Sequence, residues 1–149
     1  MKKFTSKLIT ISLFSVIIFT SCSKQEDIMT TKTILLVQKD WKIEFHGLDE
    51  NNNNTIEASE NSMLPCEEDD IYTFNVNCTG VFSGGTMPCS AGEPPVISFS
   101  WRFLNNGTEL AVFAAPEKIN RLDENFLEVY YMDENSLGQP VKYIRRFRH

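Results

Sequence analysis

From residue 40 to the end of the chain, bulky apolar side chains fall on alternate positions in short runs separated by Asn, Asp, Gly and Pro. A two-residue period turns one face of each run toward a core and the other toward solvent, which is the pattern of half-buried strands. Eight runs qualify: 40–45 around Trp41, Ile43 and Phe45; 70–76 with Tyr72, Phe74 and Val76; 81–83; 97–103 with Ile97, Phe99, Trp101 and Phe103; 110–112; 118–122; 126–132; and 141–147. Asn105-Asn106-Gly107 signals a tight hairpin turn, and Asn51-Asn52-Asn53-Asn54, with little β propensity, is a loop. Short consecutive hairpins favour an all-β fold, an eight-stranded antiparallel up-and-down barrel, because closure removes the two exposed edges. A sandwich of two sheets is the alternative that the same alternation permits.

Ahead of the first run, Ile34, Leu35, Val37 and Trp41 recur at roughly helical spacing. A short helix plugging the nearer end of the barrel and an extended start of the first strand both satisfy this pattern. Further upstream, Lys2, Lys3 and Lys7 precede an apolar segment over residues 8–19, which reads as an export signal. That segment is too short to cross a hydrocarbon core of about 30 Å as a helix. Phe19-Thr20-Ser21-Cys22 resembles the lipobox of bacterial lipoproteins, which implies cleavage before Cys22 and acylation of its sulfur. The expected organisation is a signal peptide over 1–21, a lipidated flexible tether over 22–32 and one barrel domain over 33–149.

Cleavage removes three lysines and leaves 11 basic against 20 acidic residues, a formal charge of −9. Phosphate backbones repel such a chain, so nucleic acid is excluded as a partner. Ser23-Lys24-Gln25-Glu26-Asp27 resembles the segment that follows the lipid cysteine in surface-exported lipoproteins of the Bacteroidetes. The implied location is the outer membrane, on its periplasmic face or at the cell surface.

Several segments together resemble the lipocalin-like domains of bacterial, especially Bacteroidetes, lipoproteins. They are Val37-Gln38-Lys39-Asp40-Trp41-Lys42-Ile43, Cys66-Glu67-Glu68-Asp69-Asp70-Ile71-Tyr72-Thr73-Phe74, Cys89, Trp101-Arg102-Phe103, Asn106-Gly107-Thr108 and Ile119-Asn120-Arg121-Leu122. Lys39 stands where lipocalins proper carry Gly. The resemblance implies that Trp41 closes one barrel end beneath an arginine of the last strand. Arg145 matches by position, sharing a face with Val141, Tyr143 and Phe147, while Arg146 falls on the opposite face and is expected at the surface. Alternatively, Arg145 only decorates an edge together with Arg146 and Arg148.

Export favours disulfides, and three cysteines remain after Cys22. Cys66 precedes the second strand and Cys89 follows the third, so both fall in loops at one barrel end. Cys78 lies in a turn at the other end. A Cys66 to Cys89 bridge with Cys78 free is therefore expected.

His46 and His149 have no second ligand at metal spacing, and no nucleophile elbow or phosphate loop occurs. No metal, cofactor or catalytic residue is assigned. Glu67-Glu68-Asp69-Asp70 lacks the alternating oxygens of a calcium loop and reads as a solvated rim. Phe74, Phe99, Trp101, Phe103, Val129 and Tyr131 are candidates to line an apolar pocket, although counting the bulky side chains favours a dry, filled interior over a ligand cavity. The sequence thus points to a non-enzymatic, lipid-anchored envelope domain that binds a small hydrophobic ligand or an envelope protein. A carboxylate-dependent hydrolase acting on glycans, or a purely structural protein, is the alternative.

Overall fold

The computed structural model describes residues 21–149, with side chains from Met29 onward. Residues 1–20 and the side chain of Cys22 lie outside the described residues, and the export signal and lipid site with them. The elements are α1 (Ser21–Val37), β1 (Trp41–Asp49), β2 (Ile71–Phe74), β3 (Thr79–Ser83), β4 (Val96–Leu104), β5 (Glu109–Val112), β6 (Ala115–Leu122), β7 (Phe126–Glu134) and β8 (Pro140–Arg148). Short 3-10 turns occupy Pro65–Glu67 and Asn105–Gly107. All eight strands are antiparallel to their neighbours in chain order, and β1 pairs with β8 to close the barrel.

All eight expected strands are present, with altered limits. β2 stops at Phe74, and Val76 falls in an exposed turn where Cys78 takes φ 64°. β6 begins at Ala115, three residues earlier than the alternation indicated. The reason is the β5–β6 turn, whose two residues, Phe113 and Ala114, have φ of 52° and 65°. Two positive φ values make the twist of a tight hairpin, but the chain builds it without the Asn-Gly that normally announces one. Gly80 is obligatory for a different reason. A Cβ there would lie 2.3 Å from the Phe99 ring and 2.6 Å from the Thr73 carbonyl oxygen, so the ring rests directly on the β3 backbone.

Two strands change phase partway along. The β1–β8 register slips between Ile43 and Phe45, and the β6–β7 register slips between Ile119 and Arg121. A one-residue bulge exchanges the faces of everything beyond it. Trp41 and Ile43 therefore face inward below the β1 bulge, and His46 faces inward above it.

At the lower end the helical reading of residues 30–38 holds: α1 runs to Val37, through the stretch expected as tether. Leu36 and Trp41 are fully buried, and the indole Nε1 donates to the Leu36 carbonyl oxygen at 2.8 Å. That bond satisfies one of the carbonyls a helix leaves unpaired in its last turn. Lys32 donates to the Gly107 carbonyl, seating the plug on the β4–β5 turn.

Arg145 does not lie across Trp41, contrary to the expectation from family resemblance. The His149 ring occupies that place, with centroids 3.7 Å apart. Register explains the correction, because Lys42 pairs with Arg148 whereas Arg145 pairs with His46. Five residues of strand, about 17 Å, separate Arg145's level from that of the indole.

Arg146 faces outward as expected, yet it is not a bare surface residue. Its Nε and Nη2 meet Glu128 Oε2 at 2.7 and 2.6 Å, and its guanidinium lies 4.5 Å from the Phe45 ring centroid. Glu128 is only 3% exposed, so this pair is an external clasp over β7, β8 and β1.

Candidate functional site

The barrel interior divides into three levels. At the bottom, Trp101 and Phe103 pack edge to face, and Trp101 Nε1 donates to the carbonyls of Asn75 and Thr79, so the space is filled. Above it lies a cavity of about 170 Å³ whose apolar wall includes Phe74, Leu110, Val112, Leu127, Val129 and Phe147. Higher still, a wider vestibule of about 350 Å³ is bordered by Ile43, His46, Glu67, Tyr72, Tyr131 and Tyr143. Tyr72, Ala115, Glu117 and Arg145 border both spaces and form the throat between them.

The two strands flanking β7 supply the charges in the throat. Arg145 on β8 donates through Nη2 to Glu117 on β6, whose side chain is 9% exposed. Burial opposes the guanidinium's charge, but Glu117 beside it more than offsets this and raises its pKa above the ordinary value. Arg145 Nε is also buried and has no hydrogen-bond partner. Burial raises the Tyr72 phenol pKa as well, keeping the hydroxyl protonated as a donor.

A second polar chain crosses the vestibule. His46 Nε2 lies 3.0 Å from Glu67 Oε2, and its Nδ1 is hydrogen-bonded to the Tyr143 hydroxyl. The tautomer protonated on Nε2 satisfies both contacts, donating to the carboxylate and accepting from the phenol. Tyr143 in turn stacks on Tyr131 with centroids 5.1 Å apart. Glu67 is held from behind by the Leu64 N–H, which donates to it at 2.7 Å.

The loop carrying Glu67 is fastened to the β3–β4 connection. The sulfurs of Cys66 and Cys89 are at bonding distance with Cα atoms 5.3 Å apart, and Cys78 is free and exposed, as loop placement predicts. Asp69 accepts from the Thr86 N–H and hydroxyl, which holds its carboxyl below the usual range. Asp70 accepts from Gly85 N–H while burial pushes its pKa up. The acidic run is thus more than a solvated rim: three of its carboxylates hold neighbouring backbone in place.

Of the expected pocket residues, Phe74 and Val129 line the cavity and Tyr131 lines the vestibule. Phe99, Trp101 and Phe103 instead make filled core, with Phe99 edge to face on Phe74. Glu117, Tyr72, His46 and Tyr143 were not singled out from sequence. An acid between Ala115 and Ile119 on one alternating face, matched by Arg145 on another, was the available signal.

Phe113 adds a further feature of the mouth. Half exposed and held at positive φ, it lines the cavity and its ring lies 5.0 Å from that of Phe99. Left-handed backbone costs a residue with a Cβ about 1–2 kcal/mol, a cost that an Asn-Gly turn would avoid. In sequence comparisons, no protein-family model matches the chain and no curated protein matches it.

Proposed function

We propose that this protein is a lipid-anchored domain of the bacterial outer membrane that holds a small, largely apolar molecule inside its barrel. The observation that carries the reading is the apolar cavity beneath a polar throat, a filled base below it and an open vestibule above. Binding sites for small molecules combine an apolar lining with a few converging polar groups, and this interior has that composition. The cysteine pair fits an oxidising compartment beyond the cytoplasm. The lipobox-like Phe19-Thr20-Ser21-Cys22 supports the anchor. Two or more acyl chains would hold the domain stably, since each buried methylene contributes about 0.8 kcal/mol.

Native mass spectrometry of the protein extracted from its own membrane tests the cavity. A bound small molecule is expected, and it should be missing from a Val129→Phe variant that fills the space while keeping the wall apolar. Identical spectra with no adduct in either protein, together with no binding of an apolar dye, would remove the reading. The anchor is tested separately by metabolic labelling with a fatty acid, which should mark the wild type and not Cys22→Ser.

A further inference from the structure

We propose that the throat selects an uncharged ligand: a compact, ring-sized apolar group bearing a neutral hydrogen-bond acceptor, with carboxylates turned away. This rests on the ligand-holding reading above and adds the chemistry of the occupant. Size comes first. An apolar cavity of about 150 Å³ is enough to take benzene, so the 170 Å³ space fits one ring or a short branched group and is too small for a long acyl chain.

The polar contact is set by what Arg145 has left to give. Nη2 is engaged by Glu117 and Nε is shut away, so an occupant meets only the part of the Arg145 side chain that is still accessible, 29% of it, where it borders the cavity. An occupant's carbonyl or ether oxygen accepting from that accessible edge would replace the water the edge loses when the cavity fills. Tyr72, protonated and bordering the same space, is a second donor at this level.

Charge decides between a neutral and an anionic acceptor. Among the described residues Arg145 is the one fixed cation facing the throat and vestibule, Glu117 already neutralises it, and Glu67 adds a further negative charge that only a protonated His46 would cancel. The formal sum is minus one or zero and never positive. A carboxylate entering here would lose its water and find no uncommitted cation, while the carboxylate of Glu117 repels it. A carbonyl bears no such penalty.

Fluorine NMR on the full chain in lipid nanodiscs, with empty discs as the blank, tests this with three matched probes. Para-fluorotoluene reports whether the cavity accepts a ring, and para-fluorobenzamide and para-fluorobenzoate report the head-group preference. The amide is expected to bind at least about tenfold more tightly than the benzoate, equivalent to ~1.4 kcal/mol. In Glu117→Gln, a near-isosteric change that frees Arg145, the order should invert. Benzoate binding as well as benzamide in the wild type overturns the selectivity, as does an unchanged order in a Glu117→Gln protein that still takes the toluene. Failure of all three probes in the wild type, toluene included, removes the ligand-holding reading itself.

Discussion

The two ends of the barrel solve opposite problems with similar materials. At the lower end a helix, an indole and an imidazole leave no space: Leu36 and Trp41 are fully buried, the indole N–H is satisfied and His149 covers the ring. At the upper end an arginine, three tyrosines and two glutamates enclose space and leave a buried guanidinium nitrogen unpaired. The first arrangement maximises burial and the second forgoes it. Stability should therefore concentrate below and ligand chemistry above, so that substitutions at one end leave the other end's property intact.

Trp41→Ala should have the largest effect, a loss of about 3–5 kcal/mol in denaturant titration, because a fully buried aromatic ring is replaced by a hole. That is a large share of the roughly 5–15 kcal/mol a domain possesses. If folded protein remains, its cavity should still take an apolar probe; loss of binding at matched folded fraction would show that the ends are coupled.

Replacing both Cys66 and Cys89 with Ser should cost about 3 kcal/mol by the loop-entropy model. Hydrogen exchange should quicken over residues 64–70 and 84–95 and stay unchanged around Trp41. Equal quickening at both ends would break the division.

Arg146→Ala should cost about 1–3 kcal/mol, since Glu128 would remain buried with an unpaired charge. This reverses what the alternation of β8 alone suggests. Urea titration beside the double variant Arg146→Met, Glu128→Leu is the measurement, and the double variant should recover most of the loss. A single variant within error of wild type would show that the clasp contributes nothing.

The smallest change should be a gain. Asn and Gly at positions 113 and 114 suit the positive φ of both residues, so this pair should raise stability by about 1 kcal/mol. It should also weaken ligand retention by removing the Phe113 ring from the cavity wall. A gain in stability without weaker binding would leave the strained turn without a role in the site.

The difference between the ends also explains what the sequence made legible. Alternation along Ile97, Phe99, Trp101 and Phe103 describes a strand whose face never changes, and β4 follows it over Val96–Leu104. β1 and β6 each hide a bulge, and no residue at Glu44 or Asn120 announces it, since a bulge is set by the partner strand as much as by its own. Unbroken alternation from Trp41 and Ile43 would put His46 on the outer face, and the bulge turns it inward. Glu117 was hidden by Pro116 and by a turn built from Phe and Ala, both atypical for a hairpin. The position of Arg145 was misread because strand membership fixes a face and not a height. Only the pairing of Lys42 with Arg148 fixes the height. The disulfide was legible because loop placement alone brought its cysteines to one end.

Closure by the β1–β8 ladder also imposes an order in time. Seven of the barrel's strand pairings join neighbours in sequence, but His46 meets Tyr143 across a separation of 97 residues. Loop closure disfavours such distant pairing, so the hairpins are expected to form first and the ring to shut late. The ring's last event then brings β1's His46 to β8's Tyr143 and Arg145, so a chain assembles the throat and vestibule only on completing its fold. In refolding experiments, quenching of Trp41 by His149 should develop no earlier than the slowest phase, together with recovery of ligand binding; binding recovered in an earlier phase would contradict this order. A ligand held by the throat would consequently act as a brake on unfolding, slowing the opening of the barrel at the seam where the chain last came together.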